Sequence, residues 1–177
     1  MVTLITGASH TGKTLLATKI ARETGALTIS IDLLKMGLIR SGHTALTPYD
    51  DEEIEELLWP ILSEMAKTAI ENQQDLVIEG GYIPGNWKVS FGEGELENIT
   101  AYCLTISEEY IRGHFDDIAK HANVAETRLD DSDLSEDELV RENAHYATLC
   151  TAGKYIAIPI EFPYDADKVY KETISRC

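Results

Sequence analysis

Short apolar runs alternate with longer stretches in which apolar residues recur at helical spacing. The apolar runs, which are typical of buried strands, occupy residues 2–5, 26–31, 75–78, 99–106 and 154–159. The helical stretches begin near residues 15, 33, 50, 108, 135 and 165. Strands separated by helices form parallel sheets, because the chain must cross over between neighbouring strands. The pattern therefore predicts an α/β fold with a doubly wound, mostly parallel sheet.

Local signals refine two of the predicted helices. Thr47 is a favourable N-cap for the long third helix, and Asp50 is spaced to reach back to it. Pro60 lies inside that helix, where we expect a kink without an end because the apolar stripe keeps its phase. Ser135 and Glu138 have the spacing of a capping box, which predicts a helix start.

The first strand leads into a glycine-bounded loop with the spacing G-x-x-x-x-G-K-[ST], formed by Gly7, Gly12, Lys13 and Thr14. Successive N–H groups of such a loop form an anion-binding nest, and the following helix adds its positive dipole end. Lys13 would contact the β- and γ-phosphates, and the Thr14 hydroxyl would bind Mg²⁺. We predict that the phosphates of ATP contact Gly7, Ala8, Ser9, His10, Thr11, Gly12, Lys13 and Thr14.

The second strand ends at Asp32, and ligands of open α/β sheets lie at the carboxyl ends of strands. Asp32 is therefore a candidate catalytic and acceptor-binding residue, although it would also serve as the N-cap of the next helix. Arg40 follows that helix and is either an anion clamp for the acceptor or a solvated helix end.

The third strand ends in a carboxylate followed by two glycines and a tyrosine. In P-loop proteins, a carboxylate at the end of a neighbouring strand holds Mg²⁺, so Glu79 is the candidate partner of Thr14 at the metal. Gly80, Gly81 and Tyr82 are candidate acceptor contacts, because glycines let a substrate approach the backbone closely. The alternative for Glu79 is a carboxylate at a hairpin edge.

Residues 120–145 form a polar, acidic segment that we predict to be a short lid. An arginine delivered by such a lid would stabilise the charge on a transferring phosphoryl group. Arg128 and Arg141 are better placed for this role than Arg112. The alternative is that all three are surface arginines with local acidic partners.

Charge and cysteine usage limit the partners and the location. The 177 residues carry a formal net charge of −16, which argues against broad binding to nucleic acid or to an anionic membrane. Three widely spaced cysteines (Cys103, Cys150 and Cys177) show no metal spacing and no disulfide framework, and Cys103 reads as a small buried hydrophobe. With no signal peptide and no apolar run long enough for a bilayer, we expect a reducing, cytoplasmic location.

Three patches (Leu4–Thr14, Asp32 and Val77–Pro84) together resemble the small P-loop kinases of the adenylate-kinase-like group. The run from Glu79 to Pro84 is most similar to the E-G-x-x-x-(x)-P run of 2-phosphoglycerate-kinase-like and related small-metabolite kinases. The resemblance implies a P-loop NTPase fold with a five-stranded sheet in the order 2-3-1-4-5, and the use of ATP and Mg²⁺. It also implies a carboxylate after the second strand, here Asp32, that positions or deprotonates the acceptor hydroxyl.

Three departures from related kinases leave the acceptor open. The D-G-[FY]-P-R run of nucleoside monophosphate kinases is absent at residues 79–83, and their arginine-rich lid is thin here. The D-x-D pair of shikimate kinases is also missing, because Leu33 and Leu34 follow Asp32.

The sequence thus predicts one domain over residues 1–177 that transfers the γ-phosphoryl group of ATP to a hydroxyl of a small-molecule acceptor. We expect a monomer or homodimer that binds neither nucleic acid nor membrane. A nucleotide kinase with a degenerate lid is one alternative. Another is a nucleotide-binding regulatory or toxin-like protein with a macromolecular target. An NTPase switch lacks support, because no N-K-x-D-type run lies near the fifth strand.

Overall fold

The computed structural model describes residues 1–121, 135–161 and 164–175. Within these ranges, all pairings of one five-stranded sheet are parallel, and the strand order is β2-β3-β1-β4-β5. The strands are β1 (Val2–Gly7), β2 (Leu27–Ser30), β3 (Leu76–Glu79), β4 (Ile99–Thr105) and β5 (Ile156–Pro159). The predicted fold class and the predicted strand order 2-3-1-4-5 are both confirmed.

Helices connect the strands and cover the sheet. They are α1 (Lys13–Thr24), α2 (Ile31–Arg40), α3 (Asp51–Glu71), α4 (Glu93–Leu96), α5 (Glu108–His121), α6 (Glu136–Ala152) and α7 (Ala166–Ser175), with a 3₁₀ turn at Trp87–Ser90. Within the described ranges, every helix is too short or too polar to span a lipid bilayer.

The core has two parts, one on each face of the sheet. Side chains of a strand alternate between faces, so Leu4 packs in one cluster with α2 and α3, whereas Ile5 packs in the other with α1, α5 and α7. The sheet is therefore covered on both sides, as a parallel sheet requires.

The start of α2 differs from the prediction. β2 pairs only with β3, and their register ends where Ser30 meets Glu79, so the strand has no partner beyond Ser30. Ser30 is the N-cap residue and α2 begins at Ile31. Asp32 consequently lies in the first turn of α2, and its prediction as a strand end or an N-cap is wrong.

The start of α3 is also later than predicted. The Asp50 carboxylate accepts hydrogen bonds from the Thr47 N–H (2.6 Å) and the Thr47 hydroxyl (2.8 Å). These bonds close a turn before the helix, and Asp50 itself is the N-cap residue of α3. α3 runs through Pro60 without ending. The predicted helix start at Ser135 is confirmed, since Ser135 is the N-cap of α6 and the Glu138 N–H donates to the Ser135 Oγ at 3.2 Å.

A disulfide joins Cys103 of β4 to Cys150 of α6, with Cα atoms 6.0 Å apart. Both residues are buried. The prediction of no disulfide was therefore wrong, because an odd number of cysteines and a separation of 47 residues give no sign of this pairing. The bond fixes one end of α6 to the sheet.

Candidate active site

The loop between β1 and α1 has the backbone of an anion nest. Gly7, His10 and Gly12 all have positive φ angles, of 139°, 62° and 82°. A left-handed conformation is costly for a residue with a side chain, so the loop imposes it on His10. The Thr11 hydroxyl braces the turn by donating to the Ala8 carbonyl oxygen at 2.8 Å.

Lys13 and Tyr164 define the end of the loop. Lys13 is the first residue of α1, and its Nζ donates to the Ala8 carbonyl oxygen at 2.8 Å. The Tyr164 hydroxyl donates to the Gly12 carbonyl oxygen at 3.2 Å, and its ring fills the space that a side chain at position 12 would need. Tyr164 was not predicted, because nothing in the local sequence indicates that it reaches the loop.

The two residues predicted for the metal lie together. The Thr14 hydroxyl donates to Glu79 Oε2 at 3.2 Å, and Glu79 is only 3% exposed. Burial raises the pKa of the Glu79 carboxyl, and the charge of Asp32 adds to this effect. The charge of Lys13 and the hydroxyls of Ser30 and Thr14 oppose it.

The topology of the sheet explains why Thr14 and Glu79 lie together. The connection after β1 leads towards β2, whereas the connection after β3 leads to β4 on the other side, so a crevice opens between β1 and β3. The loop lies after β1, and Glu79 is the last residue of β3. Gly80 has a φ of 151°, and a side chain there would collide with Ile31 at the start of α2.

A polar network follows Asp32 along α2. Asp32 Oδ1 lies 3.3 Å from Lys35 Nζ, and the side chains are 47% and 13% exposed. Lys35 Nζ donates to the Tyr82 hydroxyl at 3.0 Å, and that hydroxyl donates to Asp51 Oδ1 at 2.7 Å. Lys35 was missed in the sequence, although its i, i+3 spacing from Asp32 is the signal that finds such a pair.

The predicted glycines and tyrosine also lie at this side. Tyr146 of α6 donates its hydroxyl hydrogen to the Gly81 carbonyl oxygen at 2.9 Å. A Cβ on Gly81 would lie 3.0 Å from the same hydroxyl oxygen, so glycine allows the contact. Residues Gly80, Gly81 and Tyr82 are thus held between α2 and α6.

The predicted arginines are not gathered at the loop. Arg40 lies eight residues after Asp32 on α2, which is about 12 Å along the axis. Arg40 and Arg141 are exposed, and neither forms a hydrogen bond or ion pair with another residue of the described ranges. Arg128 lies outside those ranges. Arg112 pairs with three carboxylates, those of Glu108, Glu136 and Asp137, as the surface alternative predicted.

Helix α6 contributes a residue that the sequence did not reveal. Glu142 Oε1 accepts hydrogen bonds from both the Ser9 N–H and the Ser9 hydroxyl, each at 2.9 Å. The same helix holds Asn143, whose Oδ1 accepts from the Ile106 N–H at 2.7 Å just after β4. Glu142 and Tyr146 share a helix face by their i, i+4 spacing, but only the tertiary structure shows which loops they meet.

The donor set fits a hard divalent cation. Thr14 and Glu79 offer oxygen ligands next to the nest, and Mg²⁺ takes one or two protein oxygens together with water and phosphate oxygens. In the ranges that the structure describes, no three His, Cys, Asp or Glu side chains form a metal-binding group. A metal here would thus depend on the bound nucleotide for further ligands.

The fold is similar to solved kinase structures. A shikimate kinase from Bacteroides thetaiotaomicron aligns at a TM-score of 0.60 with 17% identity over 99% of this chain and 97% of that one. A deoxyadenosine kinase from M. mycoides aligns at 0.60 with 13% identity over 99% and 98% of the two chains. A gluconokinase from Sinorhizobium meliloti aligns at 0.51 with 12% identity over 98% and 89%.

The fold is that of a small P-loop kinase. Its neighbours include kinases of small metabolites, although the nearer resemblance to 2-phosphoglycerate-kinase-like proteins stays a prediction. No protein-family model and no curated protein matches the sequence.

An apolar groove of about 830 Å³ lies elsewhere, between β2 and α3. The loop, Asp32 and Glu79 do not line it, so it does not favour the macromolecular-target alternative.

Proposed function

We propose that the protein transfers the γ-phosphoryl group of ATP to a hydroxyl of a small-molecule acceptor. The observation that carries this proposal is the contact between Thr14 and the buried Glu79, beside the nest and within electrostatic reach of Asp32. This arrangement supports transfer more than simple binding, because metal ligands and a candidate base lie at the same crevice.

In the proposed reaction, residues Gly7–Thr14 form the phosphate side of the site. Their N–H groups and the Lys13 ammonium bind and orient the phosphates, and they stabilise the charge that develops during transfer. Thr14 and Glu79 would hold Mg²⁺, which neutralises phosphate charge and orients the γ-phosphoryl group. Such neutralisation matters here because Glu79, Asp32 and Glu142 all carry carboxylates close to the site.

Asp32, Lys35, Gly80, Gly81 and Tyr82 form the proposed acceptor side. The acceptor oxygen attacks the γ-phosphorus, the bond from that phosphorus to the β–γ bridging oxygen breaks, and ADP leaves. The proton of the acceptor hydroxyl passes to the Asp32 carboxylate. Lys35 keeps that carboxylate in place through the 3.3 Å ion pair.

An acceptor screen tests the proposal. Purified protein is incubated with Mg²⁺ and ATP against panels of sugars, hydroxy acids, amino alcohols, nucleosides and nucleoside monophosphates, and transfer is followed by phosphorus NMR. We expect an acceptor among the small metabolites, with product formed about 10³-fold more slowly by the Lys13→Ala variant. Binding of ATP without transfer to any panel would contradict the proposed activity.

A nucleoside or nucleotide kinase is the second candidate. It is favoured by the similarity to the deoxyadenosine kinase, whose structure contains dCMP and dCDP. The nucleoside arms of the same screen separate the two, and replacing ATP by GTP tests the donor base. The cytoplasmic location and the oligomeric state stay predictions from the sequence.

A further inference from the structure

A carboxylate already lies in the part of the loop that we assign to phosphate. One oxygen of Glu142 accepts two hydrogen bonds from Ser9, one from the backbone N–H and one from the hydroxyl, both at 2.9 Å. Ser9 is the third residue of the G-x-x-x-x-G-K-[ST] loop and precedes the left-handed His10. The Ser9 donors thus bind an oxyanion, and the oxyanion belongs to the protein itself.

Helix α6 holds Glu142 at this position from several sides. Tyr146, one turn later, donates to the Gly81 carbonyl oxygen at 2.9 Å, and Asn143 accepts from the Ile106 N–H at 2.7 Å. Cys150 is linked by the disulfide to Cys103 of β4. These contacts hold the helix that carries Glu142 in place. The fold therefore keeps the Glu142 carboxylate next to Ser9.

We propose that Glu142 is an internal competitor for the phosphate side of the site, which the nucleotide displaces from Ser9 when it binds. This inference rests on the proposed function, because it assumes that the loop binds a nucleoside polyphosphate. A phosphate oxygen and a carboxylate oxygen cannot share the same two donors, and their negative charges repel each other. The apparent nucleotide affinity is then the intrinsic affinity multiplied by the fraction of molecules in which Glu142 does not occupy Ser9.

The test is nucleotide affinity in variants that change Glu142 alone. Glu142→Gln keeps the shape of the side chain and removes its charge, and Glu142→Asp keeps the charge but shortens the reach by one methylene. Glu109→Gln, in the exposed first turn of α5, is the matched control for the loss of one negative charge. Dissociation constants for Mg²⁺–ATP and for inorganic tripolyphosphate are measured by calorimetry.

We expect Glu142→Gln to bind both ligands about fivefold more tightly than the parent protein, since a charge-assisted hydrogen bond exceeds a neutral one by ~1 kcal/mol. Glu142→Asp should also bind more tightly, and Glu109→Gln should not change. Tripolyphosphate should respond like ATP, because the competition concerns phosphate oxygens and not the base.

Unchanged or weaker binding in Glu142→Gln would overturn the inference, and so would equal tightening in Glu109→Gln, which would indicate a general charge effect. Circular dichroism checks folding, and Glu142→Asp decides the matter if the Gln variant does not fold. Lys13→Ala separates this inference from the proposed function. If the parent binds ATP and Lys13→Ala does not, phosphate binding by the loop is supported independently of the result for Glu142. If neither protein binds ATP, both proposals fail.

Discussion

The proposed phosphate side and the proposed acceptor side of the site are built from different parts of the sheet. Glu79 ends the inner strand β3 and is 3% exposed, whereas Asp32 follows the edge strand β2 and its side chain is 47% exposed. On the proposed phosphate side, backbone N–H groups would be the main donors, whereas the proposed acceptor side consists of side chains that pair with each other. Binding of the donor phosphates by backbone N–H groups needs a fixed loop geometry, whereas binding of the acceptor depends on individual side chains, so the two sides should respond differently to substitution.

The largest effect is expected from Lys13→Ala. Loss of the ammonium removes the mobile charge for the β- and γ-phosphates, and we expect turnover to fall about 10³-fold while the fold is kept. Phosphoryl transfer and thermal unfolding are measured together. The control is Lys168→Ala, whose side chain is 58% exposed. Turnover of Lys13→Ala within a few-fold of the parent would contradict the proposed role of Lys13 in binding the phosphates.

Asp32→Asn is expected to lower kcat about 10²-fold, because the amide cannot accept the proton of the acceptor hydroxyl. Affinity for ATP should not change, since we assign Asp32 to the proposed acceptor side. Asp116→Asn, exposed on α5, is the charge-matched control. The assignment of Asp32 to the acceptor side would be contradicted if Asp32→Asn weakened ATP binding as much as it slowed transfer.

Glu79→Gln is expected to lower activity about tenfold and to raise the Mg²⁺ concentration needed for half-maximal rate. Burial raises the pKa of this carboxyl, so its ionised form costs stability at pH above its ordinary pKa. In metal-free buffer the variant should therefore melt at a higher temperature than the parent at pH 7, and the difference should disappear near pH 4. A lower melting temperature at pH 7 would contradict this assignment of cause.

Tyr82→Phe is expected to have the smallest effect. The substitution removes the hydroxyl that links Lys35 to Asp51, and kcat/KM for the acceptor should fall about fivefold while KM for ATP stays the same. Tyr49→Phe is the control, because Tyr49 is 85% exposed. A change in KM for ATP, with kcat/KM for the acceptor unchanged, would contradict the assignment of Tyr82 to the acceptor side.

The backbone of the loop and the meeting of Thr14 with Glu79 could be predicted from the sequence because their determinants are local. The spacing of Gly7, Gly12, Lys13 and Thr14 predicted the loop, and the loop has the positive φ angles that a nest requires. Glu79 was predicted from its place at a strand end, and a parallel sheet brings such ends together. The strand order followed from the resemblance to small P-loop kinases and was confirmed.

The remaining contacts depend on tertiary distances that no spacing reveals. Ser9 and Glu142 are 133 residues apart, and Cys103 and Cys150 are 47 apart, so neither pair leaves a local pattern. The start of α2 was wrong because an edge strand ends with its only partner, β3, and the apolar run continues past that point. Arg40 was predicted from its residue type, because a guanidinium binds anions. Its position at the end of α2, eight residues after Asp32, depends on the helix and not on the residue type.

The disulfide between β4 and α6 has a consequence for how the chain can be cut. Cys103 and Cys150 close a covalent ring that contains every residue from 104 to 149. A single protease cut within that ring leaves the two fragments joined, so they migrate as one band on a denaturing gel until a reducing agent separates them. A cut outside the ring releases its fragment without reduction, so gels run with and without a reducing agent show whether a cleavage site lies inside or outside the ring.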